Sequence, residues 1–298
     1  MEKTNVLPHF EEIQKLKTYS DFRRLIKGQT SKSMRHLYQE SYYREGVGSK
    51  EIADLYFETK GLGPNPYTEL PLKLARVKPG HHVLDIGCGR GEIVFQTACL
   101  GAYSVGIDFS RHAISLAMET RARHCADIVH RTDFICCDAA DLDFPDNRFD
   151  RIFLLDVAEH VSREELRNIL RKCGTLLTQS GLLVIHSTPN LWARTYGYWI
   201  KALLYFVTKG TLPSHPFIAE IKRSSNFIMH INEQSILSLK LHLFSSGLKS
   251  KVWLQNPGVS WIEMSAIRRK LLHKIFIASG ATYVFGSDLY ALAWREES

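Results

Sequence analysis

Along residues 82–187 the apolar positions fall into short runs at 82–86, 104–107, 132–136, 151–155 and 181–187, separated by stretches with helical spacing. Alternation of this kind predicts a parallel sheet with helices on both faces. Two later runs, 249–254 and 288–294, predict an antiparallel pair that completes the sheet at one edge. The expected fold class is therefore α/β, a doubly wound, mostly parallel seven-stranded sheet.

The flanking text reads differently. From 10 to 60, apolar and charged residues mix at helical spacing, with Leu16, Phe22, Leu25, Ile26, Leu37, Tyr38, Ile52, Leu55 and Tyr56 as inward candidates. Gly61-Leu62-Gly63-Pro64-Asn65-Pro66 then breaks any helix. The expected organisation is an N-terminal helical region over 1–70 and a sheet domain over 71–298. Within the latter, residues 191–229 break the alternation and read as a cap insertion. Trp192, Tyr196, Tyr198, Trp199, Tyr205, Phe206 and Phe217 alternate there with Arg194, Lys201, Lys209, Lys222 and Arg223. Its longest apolar part is interrupted by Lys201 and falls short of the roughly 20 residues a spanning helix needs.

Composition narrows the class. With 45% hydrophobic and 23% charged residues over 298 positions, the chain can bury a large core. Its six cysteines form no CxxC pair, which points to reduced thiols in a cytoplasmic protein rather than a zinc site or a disulfide framework. Residues 1–10 lack a basic head followed by an apolar run, so no secretory signal is expected there. A formal charge of +7 would attract phosphate-bearing partners without choosing among them.

The chemistry concentrates in Val83-Leu84-Asp85-Ile86-Gly87-Cys88-Gly89-Arg90-Gly91. An apolar strand runs into spaced glycines and then a helix near Glu92, a turn whose backbone N–H groups can approach a ligand. The glycines read GxGxG, unlike the GxGxxG of nicotinamide enzymes. Asp85, just before them, would repel a pyrophosphate and attract an ammonium group. About 20 residues later Asp108 ends the second strand, where a carboxylate can accept hydrogen bonds from both hydroxyls of a ribose.

Together with Cys137-Asp138-Ala139 and Phe149-Asp150-Arg151-Ile152, these residues resemble the motifs of the class I S-adenosylmethionine-dependent methyltransferases. The run from Asp138 to Asp150 is similar to the branch acting on small molecules. The resemblance covers 83–190 and implies a Rossmann-like methyltransferase fold that binds S-adenosylmethionine. It implies that Asp85 serves the methionine end, Asp108 the ribose and Asp138 the adenine amino group. Gly87, Cys88, Gly89, Gly91, Phe109, Ala139 and Leu155 complete the expected cofactor-binding set. Tyr42 and Tyr43 resemble aromatic lid residues, with ordinary helix packing as the competing reading.

Asp156-Val157-Ala158-Glu159-His160 follows the fourth strand on the acceptor side. Its Glu-His ending suits a structural or positioning role. Its likeness to the quinone O-methyltransferases of ubiquinone biosynthesis implies a divalent, magnesium-like ion held by Asp156, Glu159 and His160. For a general base the first candidate is His160 and the second His230. His186 reads as a core or cleft-wall residue, and His81 and His82 as scaffold. The expected activity is methyl transfer to a small-molecule acceptor, foremost O-methylation of a phenolic, quinone-like or sugar-containing metabolite. Competing readings are N- or C-methylation, or a membrane-surface binding protein with a vestigial methyltransferase fold. The fourth strand lacks the Asn/Asp-Pro-Pro-Tyr/Phe sequence of amino-directed nucleic-acid methylases and no Pro-Cys nucleophile is present, so nucleic acid is not the expected acceptor. The aromatic and basic composition of 191–229 suits a peripheral membrane contact.

Overall fold

The computed structural model of the chain describes residues 15–17, 19–46, 50–63, 65–197, 199, 202, 203, 206, 210, 229–257 and 286–296. Most of the insertion expected at 191–229 lies outside them, including Tyr198, Tyr205 and Phe217. In chain order the principal elements are α1 Tyr19–Leu25, α2 Ser31–Met34, α3 Lys50–Thr59, α4 Pro66–Ala75, β1 His82–Ile86, α5 Glu92–Cys99, β2 Tyr103–Asp108 and α6 Arg111–His124. They continue as β3 Thr132–Cys136, β4 Phe149–Leu155, α7 Arg163–Leu176, β5 Leu177–Ser187, α8 Ile236–Ser245, β6 Leu248–Pro257 and β7 Gly286–Arg295.

The seven strands lie in the order β3-β2-β1-β4-β5-β7-β6. The first five are parallel, and β7 runs antiparallel to both β5 and β6. The doubly wound sheet and its antiparallel edge are thus those the apolar pattern predicts. One boundary differs, since β5 begins at Leu177 rather than at 181. The chain passes from α7 straight into the strand, and a register shift between Phe149 and Arg151 absorbs the extra residues.

Side-chain alternation divides the core. Leu84, Ile86, Ile152, Leu154 and Ile185 face α7 and α8, packing on Leu166, Ile169, Leu239 and Leu243. Val83, Phe153 and Val184 point the other way, onto Ala75 and Ile93 of α4 and α5. α7 starts with a reciprocal cap in which Ser162 and Glu165 satisfy each other's backbone N–H groups. Ser31 Oγ also donates to Glu165 at 2.5 Å, joining the N-terminal segment to that corner.

The N-terminal helices build a small core of their own. Leu16, Tyr19, Phe22, Ile26 and Met34 cluster with Leu191 and Ile231, which flank the insertion. The neck of the insertion is closed, for Leu191 N–H donates to the Gln234 carbonyl at 2.8 Å. Among the described residues no helix is long and apolar enough to cross a membrane.

Candidate active site

A cavity of about 650 Å³ opens at the carboxyl ends of β1, β2 and β4 and is roofed by the N-terminal segment. On one side stand the glycines of the β1–α5 turn, each needed for a different reason. Gly87 has φ +75°, and a Cβ there would lie 2.5 Å from Val157 Cγ2. Gly87 lines the cavity, and a side chain there would meet both a strained backbone and Val157. Gly89 has φ +51° with open space before it. Gly91, at φ +87°, is the N-cap of α5, and a Cβ there would meet Phe134 at 2.7 Å. It does not line the cavity, unlike Cys88, Phe109, Ala139 and Leu155.

Two buried carboxylates converge behind this turn. Asp108 accepts from Gly89 N–H at 3.0 Å and Ser110 N–H at 2.8 Å. Burial nevertheless pushes its pKa up to about 6. Asp85 is raised to about 8, first by burial and then by Asp108 and Glu92. A buried carboxyl held this far above its ordinary range suits a cationic partner, and the open space at Gly89 gives the cradle such a ligand would need. Asp138 accepts from Ala140 N–H at 3.0 Å, while Arg35 pairs with its other oxygen and lies 5.2 Å from the Phe109 ring centroid. Tyr42 and Tyr43 both line the cavity, Tyr43 being hydrogen-bonded to Asp108.

The acceptor side gathers at the ends of β4 and β5. Asp156 turns the chain at φ +55° and pairs with His186 Nδ1 at 2.7 Å. Burial opposes both charges, but each partner favours the other's ionised form: Asp156 is held below its usual range and His186 is raised to about 9. Asp156 is consequently engaged with His186, and the expected trio of Asp156, Glu159 and His160 is not the one assembled. Glu159, His160 and His230 instead bring ligand atoms within 4.8 Å of one another. Both Glu159 oxygens already accept hydrogen bonds, from Ser187 Oγ at 2.8 Å and Thr188 N–H at 3.3 Å. Burial and Asp156 raise this carboxyl to about 8. Two imidazoles and one occupied carboxyl do not fit the oxygen-rich set magnesium prefers.

His160 Nδ1 lies 3.0 Å from Tyr38 Oη and 3.2 Å from the Met229 carbonyl. A proton on Nδ1 serves both contacts and leaves Nε2 as the acceptor. Burial, and then His230, push His160 down to about 3, so its ring is neutral. His230 packs edge-on to it with centroids 4.7 Å apart. Beneath lies Glu233, fully buried, with Oε1 3.8 Å from His230 Nδ1 and 3.2 Å from Arg194 Nε. Tyr19 donates to its other oxygen. Arg35, Glu233 and Tyr19 escape sequence reading and Tyr38 reads only as an inward position, although the i, i+3 pair His230 and Glu233 offers a local signal.

A family model described as "Methyltransferase domain" matches residues 83–181. The ubiquinone biosynthesis O-methyltransferase of Neisseria meningitidis serogroup C is 31% identical over 179 residues, covering 56% of this chain and 72% of that protein. Its namesake from Bradyrhizobium diazoefficiens is 32% identical over 114 residues, spanning 38% of this chain and only 42% of the relative. Phosphoethanolamine N-methyltransferase 2 of Haemonchus contortus, solved with S-adenosyl-L-methionine, superposes with a TM-score of 0.55 at 16% identity, covering 92% of this chain and 60% of that one. This last likeness speaks for the fold alone. The chain belongs to the class I S-adenosylmethionine-dependent methyltransferases.

Proposed function

We propose that the protein methylates an oxygen of a phenolic or quinone-like small molecule, with His230 as the base. The observation that carries this reading is the pair of imidazoles on the acceptor side, with the buried Glu233 carboxylate 3.8 Å from His230 Nδ1. Glu233 stands behind the His230 ring, whereas His160 Nδ1 is already shared between Tyr38 Oη and the Met229 carbonyl. This reverses the order in which the sequence ranks them.

S-adenosylmethionine supplies an electrophilic methyl group on a sulfonium. Asp85 takes the ammonium, Asp108 the ribose hydroxyls and Asp138 the adenine amino group, with Gly87, Cys88, Gly89, Phe109, Ala139 and Leu155 lining the cofactor side and Gly91 capping the helix behind it. Tyr38, Tyr42 and Tyr43 exclude water from above. His230 removes the acceptor hydroxyl proton as the O–CH₃ bond forms and the S–CH₃ bond breaks, which leaves a thioether. Holding the reactants in line contributes about 7–11 kcal/mol in favourable systems. The lid ends at the turn before Asn65, since α4 packs on the sheet and crosses position 70.

Residues 191–229 serve as a cap that also touches the membrane. In support, Tyr196, Trp199, Leu203 and Phe206 stand exposed at helical intervals. Sedimentation with anionic vesicles tests this part: loss of binding when Trp192, Tyr198 and Trp199 become serine supports it, and unchanged binding removes it. The chemistry is tested by mass spectrometry of the purified protein with S-adenosylmethionine and a panel of catechols, hydroxyquinones and amines. Methylation at catechol oxygen is expected, and product from amines alone would overturn the reading.

A further inference from the structure

Helix α8 buries Ile236, Leu239, His242 and Leu243 against the sheet and turns the opposite face outward. On that face stand Leu237, Leu241 and Phe244, with 54%, 57% and 80% of their surface exposed. Their i, i+4, i+7 spacing lines them up in a single stripe. Isolated exposed apolar residues are ordinary, but an aligned set on one helix marks a contact surface.

The surroundings of the stripe are basic on both sides. α7 packs beside α8, Ser246 Oγ reaching the Arg167 carbonyl at 3.5 Å. Arg163, Arg167 and Arg171 are exposed on α7 at i, i+4, i+8, the first two on the flank nearest α8. The pKa of the buried His242 there falls first through burial and then through Arg167 and Arg163. Glu164 offsets one of these charges, and Glu165 is occupied by Ser31 and Ser162. Lys240, three positions after Leu237 and four before Phe244, is exposed on the other flank of the stripe.

From the apolar stripe and its basic borders we infer that the α7–α8 face docks on an anionic lipid surface, with Leu237, Leu241 and Phe244 entering the interface and the arginines meeting the head groups. Charge complementarity selects this occupant. A second copy of the chain would set basic border against basic border. Side chains that protrude as far as Phe244 fit a flat, yielding surface, as interfacial helices do, and the arginine stems lie along it while their heads reach phosphate. The inference is independent of the acceptor's identity and of the cap at 191–229.

The test is sedimentation of the full chain with vesicles of phosphatidylcholine alone and of phosphatidylcholine with phosphatidylglycerol. Binding is expected only to the anionic vesicles and should weaken with salt. Replacing Leu237, Leu241 and Phe244 by serine should lower it about tenfold or more, with cofactor affinity and melting temperature unchanged because all three side chains point to solvent. Arg163→Glu with Arg167→Glu should do the same without touching the stripe, which keeps the proposal testable should the serine variant fold poorly. Binding lost in the Trp192, Tyr198 and Trp199 variant but retained in both of these would assign the membrane to the cap and overturn this face. Absence of binding by the intact protein would overturn it too, as would a dimer in solution that the serine variant dissociates.

Discussion

At the ends of β1 and β2 the carboxylates rest on the backbone of strand-end turns, Asp108 on the N–H groups of Ser110 and of Gly89 in the adjoining turn, with Tyr43 added from the N-terminal segment. At the ends of β4 and β5 the partners come from across the chain: Tyr38 meets His160, and Tyr19 and Arg194 meet Glu233. The first region is a set of strand-end turns whose geometry follows from the sheet. The second exists only once the N-terminal segment, the neck of the insertion and the 229–234 segment have come together. A cofactor pocket of the first kind can persist across many relatives, while an acceptor pocket of the second kind changes whenever a flanking segment changes.

The largest expected effect separates the two regions by activity. His230→Asn should lower kcat by about 10²–10⁴-fold while calorimetry finds cofactor affinity unaltered. A parallel loss of cofactor affinity would mean that the two sides are not distinct. The reciprocal change, Asp108→Ala, should cost about 1.5–3 kcal/mol of cofactor affinity. Unchanged binding would remove Asp108 from the cofactor side.

A smaller effect concerns protons. Asp85 has a pKa raised to about 8 against an ordinary 3.8, so the folded protein holds a proton there that the unfolded chain releases. The free protein therefore loses stability as pH rises through this window, and the loss is complete above about 8. An ammonium placed beside Asp85 favours its ionised form. Cofactor binding near pH 7 should then release protons, and affinity should rise with pH up to about 8, by at most about tenfold per pH unit. Calorimetry in buffers of different ionisation heat measures the release. Its persistence in Asp85→Asn would assign the proton to another group. The smallest expected effect is none: excess chelator should leave turnover unchanged, because Asp156 is committed to His186 and Glu159 to Ser187 and Thr188. Loss of activity that magnesium restores would bring back the metal and blur the contrast between the two sides.

The same contrast explains what the sequence discloses. The strands, the glycine turn, Asp85 and Asp108 are legible because each sits in a local strand-and-turn pattern, although Asp108 also draws Gly89 from 19 positions away and Tyr43 from the N-terminal segment. Tyr38 belongs to no motif, and its partner His160 is 122 positions distant. Asp156, Glu159 and His160 are adjacent in sequence and look like one ligand set, yet the positive φ at Asp156 sends its side chain to His186 on the next strand. Gly91 reads as a ligand-side glycine because spacing does not reveal that Phe134 fills the space beside it.

The strand order also governs how the protein is made. β7 is the last of the seven strands in sequence, yet it lies between β5 and β6. During synthesis β6 leaves the ribosome before the strand that joins it to the sheet, and β5 waits with one edge unpaired until Gly286–Arg295 follows. Release of the last strand is therefore the event that closes the sheet. A chain interrupted before Gly286 would expose two open edges at once, a template for pairing with other nascent chains and a natural point of chaperone engagement.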